Sequence, residues 1–115
     1  MVFVRGCSRL GVKILGDKSA LQVAIDNSGQ RQVVAWFTAS WCGPCKSVTP
    51  FVEKLSETSK SVDFLKIDID SNQELAEQFD VSSVPTFVMF KDKMLVGRIL
   101  GANSSQIEQL VKKNS

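Results

Sequence analysis

Histidine is missing from this chain of 115 residues, and cysteine occurs only three times, at Cys7, Cys42 and Cys45. A structural zinc site normally takes four ligands from cysteine, histidine or carboxylate side chains. Because the three cysteines are the only obvious candidates, we expect no metal site. An odd number of cysteines, without a recognisable signal sequence, also argues against a secreted disulfide framework and favours a reducing compartment.

The chain also lacks a long apolar run and a strong charge of either sign. No run approaches the roughly 20 residues that a helix needs to cross a membrane. The 14 basic and 12 acidic residues give a net charge of +2. That charge is too small and too evenly spread to indicate nucleic acid or an anionic membrane as the partner. With 43% apolar residues, the chain suits one small domain with its own core.

Apolar periodicity alternates between strand and helix spacing along the chain. The run at 32–38 is almost continuously apolar, which indicates a strand buried on both faces. Three residues, 91–93, join the last two strands, so these form an antiparallel hairpin. The order predicts an α/β domain with a central mixed sheet and helices on both faces. The predicted strands are 12–15, 32–38, 64–69, 86–90 and 94–100. Of the predicted helices, the first is capped by Asp17 or Ser19 and ends at Asn27, the second runs from near Cys42 to Ser59, the third covers 72–79, and the last is capped by Ser104 or Ser105 and ends at Lys113.

The pentapeptide Trp41-Cys42-Gly43-Pro44-Cys45 lies between an apolar strand and a helix-like segment. An offset of three residues puts both sulfurs on one side of the first helical turn, close enough to bridge. Cys42 stands where unpaired backbone N–H groups and the helix dipole favour an anion, which lowers the pKa of a thiol. We expect Cys42 to be an exposed nucleophile and Cys45 to lie one turn deeper.

The pentapeptide, its context and its spacing resemble the thioredoxin family, and the resemblance runs from about Val12 to the C-terminus. The segment 83–86, Ser-Val-Pro-Thr, is similar to the family's cis-proline segment. Pro50 is similar to the proline that kinks the active-site helix, and Gly101 to the glycine after the last strand. The resemblance implies a thioredoxin fold, with the domain at residues 12–115.

Residues 1–11 precede that domain as an N-terminal extension. The extension carries Arg5 and Arg9 and no acidic residue. It is either a disordered tail, an expression scar or the remnant of a transit segment. Cys7 within it is either an unreactive tail residue or a spare thiol that forms intermolecular disulfides under oxidation.

The resemblance implies a protein dithiol–disulfide oxidoreductase in which Cys42 attacks a client disulfide and Cys45 resolves the mixed disulfide. Gly43 and Pro44 between the cysteines are typical of reducing members, whereas oxidants and isomerases of the fold favour histidine there. No bound cofactor is implied, since electrons come from NADPH through a flavin-dependent thioredoxin reductase. The implied clients include ribonucleotide reductase, peroxiredoxins and methionine sulfoxide reductase. We expect a monomer in the cytoplasm, or alternatively in the mitochondrion.

The resemblance also implies a docking surface for client proteins. A cis peptide before Pro85 would expose the backbone of Val84 beside the sulfurs, where a client strand pairs with it. Trp41, Gly43, Pro44, Gly101 and Ala102 would complete a flat apolar surface around that backbone.

One position departs from the family pattern. Thioredoxins usually hold a buried aspartate six residues before the first cysteine, and here that position is Trp36. Lys66 matches the lysine that pairs with this aspartate, so we expect it to lack its partner. In one interpretation, Trp36 is a core residue, and Cys45 loses its proton to water or to the leaving Cys42 thiolate. In the other, the loss marks a changed role, such as slower turnover or a narrower substrate range. The alternative function is a binding or adaptor module with secondary redox activity.

Overall fold

The computed structural model of the chain describes residues 12–14, 18–29, 31–59 and 61–113. The predicted N-terminal extension and Cys7 lie outside these ranges. The described residues form strands β1 (Val12–Ile14), β2 (Gln32–Thr38), β3 (Val62–Asp68), β4 (Thr86–Lys91) and β5 (Met94–Leu100), and helices α1 (Lys18–Asp26), α2 (Gly43–Thr58), α3 (Gln73–Gln78) and α4 (Ser104–Lys113).

The five strands form one mixed sheet in the order β1-β3-β2-β4-β5. β1 and β2 run parallel to β3, whereas β4 runs antiparallel to β2 and to β5. In this register Trp36 on β2 lies opposite Lys66 on β3 and Phe87 on β4, and Thr38 lies opposite Asp68. The predicted mixed sheet and the predicted hairpin are confirmed.

Two hydrophobic cores lie on opposite faces of the sheet, because successive side chains of a strand point to opposite faces. Every residue of β2 is buried. On one face, Val34 and Trp36 pack with residues of α2 and α4, such as Val52 and Val111. On the other face, residues 33, 35 and 37 pack with residues of α1 and α3. The predicted helices on both faces are therefore confirmed.

The bounds of β3 and α3 differ from those predicted. β3 starts at Val62, two residues earlier, because Val62 pairs with Gln32 in the parallel ladder and is buried. Val62 and Phe64 belong to the core under α2 and α4, so the strand face that carries Lys66 and Asp68 is turned to that side of the sheet. α3 covers only Gln73–Gln78. No helix among the described residues is long and apolar enough to span a membrane.

Candidate active site

Cys42 and Cys45 are joined by a disulfide, with their Cα atoms 5.3 Å apart. Cys42 is the N-cap of α2, with an extended backbone, and its sulfur accepts the backbone N–H of Cys45 at 3.1 Å. Pro44 stands in the first turn, where a missing N–H costs no helical hydrogen bond. The sulfur of Cys42 thus occupies the place of a helix-capping acceptor, where an anion is favoured.

The expectation that Cys42 is exposed is wrong. Cys42 is 4% exposed and Cys45 2% exposed. The two cysteines form a small apolar cluster with Ala39, against which Ile69 and Val84 pack. The exposed part of the motif is its rim, namely Trp41, Gly43 and Pro44.

The peptide bond between Val84 and Pro85 is cis, as the resemblance implied. The carbonyl oxygen of Val84 lies 3.6 Å from the sulfur of Cys42. The carbonyl oxygen of Pro85 accepts the backbone N–H of Gly101 at 2.8 Å. Gly101 has φ of +92°, a conformation that glycine adopts without strain. The fold therefore brings the dithiol, the proline segment and the glycine after β5 to one place.

Trp41 is the largest exposed apolar side chain at this place, with 66% of its surface accessible. Its indole N–H donates a hydrogen bond to the carboxylate of Asp70 at 3.0 Å. Ala102 is also exposed, and Val84 is half-buried. The sequence reasoning did not find Asp70, because the contact joins loops 29 residues apart and no local pattern indicates it.

Trp36 fills the core beneath the site and is only 1% exposed. Its ring stacks on Phe87 with centroids 5.9 Å apart and an interplanar angle of 12°. The ammonium of Lys66 lies 5.4 Å from the centroid of the Trp36 ring, within the range of a cation–π interaction. Lys66 thus lacks the aspartate partner of the family pattern, as expected, and its ammonium lies beside the face of the indole ring instead.

A cavity of about 290 Å³ lies beside Cys45, between the sheet and the start of α2. Cys45, Lys46 and Thr49 line it from α2, and Ile14 from β1. The sequence reasoning did not place Asp68 in the site, because a cavity between a helix and a sheet depends on tertiary packing. The rest of the lining comes from β2, β3 and the loop after β2, namely Thr38, Ala39, Ser40, Lys66 and Asp68.

No group of three or more histidine, cysteine or carboxylate residues within the described ranges is placed to hold a metal ion. The reactive groups of the site are the two sulfurs of the Cys42–Cys45 disulfide. A Cys-x-x-Cys disulfide at the start of a helix, beside a cis-proline, is the site of a thiol–disulfide oxidoreductase.

Comparison with known proteins identifies the family. The thioredoxin family model matches residues 12–113. Human thioredoxin is 41% identical over 102 residues, which are 89% of this chain and 97% of the human protein. The X-ray structure of Fasciola hepatica thioredoxin matches with a TM-score of 0.86 and 35% identity, covering 90% of this chain and 99% of that one.

A third match comes from a structural study of the thiol resolving mechanism in yeast mitochondrial 1-Cys peroxiredoxin via glutathione/thioredoxin systems. Its TM-score is 0.83 at 33% identity, covering 89% of this chain and 94% of that one. The chain belongs to the thioredoxin family, and it is a thiol–disulfide oxidoreductase with a Cys-x-x-Cys dithiol.

Proposed function

We propose that this protein reduces disulfides in client proteins, with Cys42 as the attacking residue and Cys45 as the resolving residue. One observation carries the proposal: the sulfur of Cys42 caps α2, accepts the N–H of Cys45 and lies 3.6 Å from the carbonyl of Val84. After reduction, the same cap position stabilises a Cys42 thiolate, because the N–H and the helix dipole favour negative charge there.

The reaction consists of two thiol–disulfide exchanges. The Cys42 thiolate attacks one sulfur of the client disulfide, a mixed disulfide forms, and the other client sulfur leaves as a thiolate that takes up a proton. Cys45 then loses its proton and attacks the sulfur of Cys42. The Cys42–Cys45 bond forms and the second client sulfur leaves, so two electrons have passed to the client.

The client docks on the rim of the site. The exposed indole of Trp41 and the exposed residues Gly43 and Pro44 lie on one side of the buried disulfide. On the other side, the backbone at Val84 is available for strand-like hydrogen bonds to a client segment. This surface extends to Gly101, whose N–H donates to the carbonyl of Pro85, and to the exposed Ala102. Because neither residue has a bulky side chain, a client backbone can approach closely.

The oxidised protein is restored by a flavin-dependent thioredoxin reductase with NADPH as the electron source, so the protein itself needs no bound cofactor. This step rests on the family, as do the proposed clients: peroxiredoxins, ribonucleotide reductase and methionine sulfoxide reductase. Among these, a peroxiredoxin is supported by the yeast match, whose study concerns thiol resolution in a 1-Cys peroxiredoxin via glutathione/thioredoxin systems. We propose a monomer that works in the cytoplasm or in the mitochondrion.

Reduction of insulin disulfides tests the proposal, first with dithiothreitol and then with NADPH and a thioredoxin reductase. We expect turnover in both assays, loss of turnover in Cys42→Ser, and accumulation of mixed disulfides in Cys45→Ser. Cys7→Ser is the matched control, because it removes a thiol outside the motif and should leave turnover unchanged.

A second candidate function is an adaptor module that binds partners through the same rim. Trp36 favours it, because the buried carboxylate that assists the redox step in relatives is replaced by an aromatic ring. Absence of turnover in both assays, with both thiols of the reduced protein free, would shift the function to the adaptor. The double variant Cys42→Ser, Cys45→Ser would also favour the adaptor if it still supported the protein's function in cells.

A further inference from the structure

We propose that Asp68 accepts the proton of Cys45 through water in the cavity beside the disulfide, and so takes over the part that Trp36 cannot play. This inference rests on the proposed function, since it concerns the step in which Cys45 resolves the mixed disulfide. In the family pattern, the aspartate that is missing here accepts this proton, and we assign its role to Asp68.

Trp36 cannot accept this proton. A neutral indole has one N–H donor and no acceptor. The ring is also enclosed, with Phe87 stacked against it and the ammonium of Lys66 near its face. A proton acceptor for Cys45 must therefore be a different group that is connected to the sulfur.

The cavity provides this connection. Cys45 and Asp68 both line it, and the other lining residues include three hydroxyl groups, those of Thr38, Ser40 and Thr49. A volume of about 290 Å³ exceeds several times the roughly 30 Å³ that a water molecule occupies in the liquid. Hydroxyl and charged groups in a cavity wall hold water there, whereas purely apolar walls leave a cavity dry. A chain of water molecules between the Cys45 thiol and the Asp68 carboxylate therefore fits the site.

The carboxylate of Asp68 is also held in place. One of its oxygens accepts the backbone N–H of Asp70 at 2.9 Å, and the side chain of Asn72 donates to the Asp68 backbone carbonyl at 3.0 Å. Asp68 lies on β3 opposite Thr38, with the half-buried side chain of Lys66 two residues earlier on the same strand face. The hydrogen bond from Asp70 thus fixes the side chain of a carboxylate that lines the cavity.

Protons and bonds balance in the resolving step. In the mixed disulfide, the Cys45 thiol gives its proton to water, which passes a proton to the Asp68 carboxylate. The Cys45 thiolate attacks the sulfur of Cys42, the bond between Cys45 and Cys42 forms, and the bond from Cys42 to the client breaks. The departing client thiolate then receives a proton from solvent, and Asp68 returns its proton to solvent through the same cavity.

Single-turnover kinetics with a chromogenic aromatic disulfide separates the two exchanges. In the reduced protein, the first coloured thiolate is released when Cys42 attacks and the second when Cys45 resolves. All variants carry Cys7→Ser, so that no third thiol contributes. We expect Asp68→Asn to leave the first phase unchanged and to slow the second about 10-fold near pH 7, below the roughly 10²–10⁴-fold of a base in direct contact.

The pH profile of the second phase distinguishes proton transfer from a structural effect. The charged residues that line the cavity together with Cys45 are Lys66 and Asp68 from β3 and Lys46 from α2. With Asp68→Asn the second phase should become proportional to hydroxide concentration, so its deficit should shrink as the pH rises from about 6 to about 9. An asparagine oxygen still accepts the N–H of Asp70, so the loop geometry is kept.

Two further variants complete the design. Asp68→Glu should recover most of the second-phase rate, because it restores a carboxylate in the cavity. Asp92→Asn removes the same charge from the exposed turn between β4 and β5, so it should leave both phases unchanged.

The proposal is overturned if Asp68→Asn resolves at the parent rate, or if Asp68→Glu is as slow as Asp68→Asn, which would assign the effect to the loop. If the parent protein itself shows no first phase, the proposed attack by Cys42 fails instead, so the two failures are distinguishable.

Discussion

Trp36 provides the sharpest test of how the core beneath the active site is held together. Truncation of a buried tryptophan to alanine typically costs about 3–5 kcal/mol, and the stacking on Phe87 and the contact with Lys66 are lost with it. One contribution has the opposite sign. The indole N–H finds no acceptor among the described residues, and a buried donor without a partner costs about 1–3 kcal/mol. We therefore expect Trp36→Ala to lower the free energy of unfolding by about 3 kcal/mol, at the lower end of the range.

Trp36→Phe distinguishes the contribution of the aromatic ring to stability from that of the indole N–H. Phenylalanine keeps an aromatic face for Phe87 and Lys66 and removes the unpaired N–H, but it leaves part of the indole volume empty. The gain from removing the N–H and the loss from the empty volume are of similar size, so we expect the free energy of unfolding to change by less than about 1 kcal/mol. The two variants should thus differ by about 2 kcal/mol.

Urea unfolding followed by far-ultraviolet circular dichroism measures this difference, because tryptophan fluorescence itself changes with the substitution. The free energy of unfolding must depend on urea concentration with the same slope in all variants, so that the midpoints report stability alone. Trp41→Ala is the matched control: it removes the other tryptophan, which is 66% exposed, and should cost less than about 1 kcal/mol. If Trp36→Ala costs no more than Trp41→Ala, the packing described here is refuted. If Trp36→Phe is as costly as Trp36→Ala, the indole N–H has a partner and its assignment as unpaired is refuted.

Three further predictions concern the rim and the surface. Gly101→Ala should cost about 1–2 kcal/mol in urea unfolding, because φ of +92° strains a side chain; Gly43→Ala, whose added carbon also meets no atom within 4 Å, is the control and should be nearly neutral. Arg31→Ala should cost less than about 1 kcal/mol, because the bidentate pair with Asp63 is half-exposed. Hydrogen bonding to Asp63 raises the pKa of Arg31, so the pair's contribution to the free energy of unfolding is lost only as the pH rises through that raised value. The cost of Arg31→Ala should therefore be the same at about pH 6 and pH 9. A different cost at pH 9 would contradict the pairing of Arg31 with Asp63. Trp41→Ala should raise KM for insulin but leave the rate with a small aromatic disulfide unchanged, and equal losses with both substrates would count against Trp41 as a docking residue.

Local patterns predicted the parts of the fold that depend on neighbours in sequence. The continuous apolar run of β2, the short turn before β5 and the helix that starts at the dithiol were all recognisable, because periodicity and turn length act over a few residues. The start of β3 was missed because Asp63 interrupts its apolar pattern, although parallel pairing with β2 extends the strand to Val62.

Contacts between distant segments explain what the sequence did not reveal in the site. Cys42 belongs to an exposed motif by its position, yet it is buried because Val84, 42 residues later, covers it. Lys66 has no carboxylate to pair with in β2, and only the register between β2 and β3 shows that the Trp36 ring lies beside its ammonium. Burial and pairing of this kind depend on tertiary packing rather than on local sequence.

The replacement of a buried carboxylate by Trp36 has different consequences for stability and for chemistry. Exchange of a buried ion pair for well-packed apolar groups is often neutral or stabilising, because the desolvation of two charges is avoided. The stacked ring and the cation–π contact of Lys66 therefore keep the core intact without the carboxylate. A proton acceptor, in contrast, cannot be supplied by an aromatic ring. Two residues further along the same strand face, about 7 Å away at 3.3 Å per residue, Asp68 lines a cavity that Cys45 also lines. We therefore assign packing at this place to Trp36 and proton transfer to Asp68.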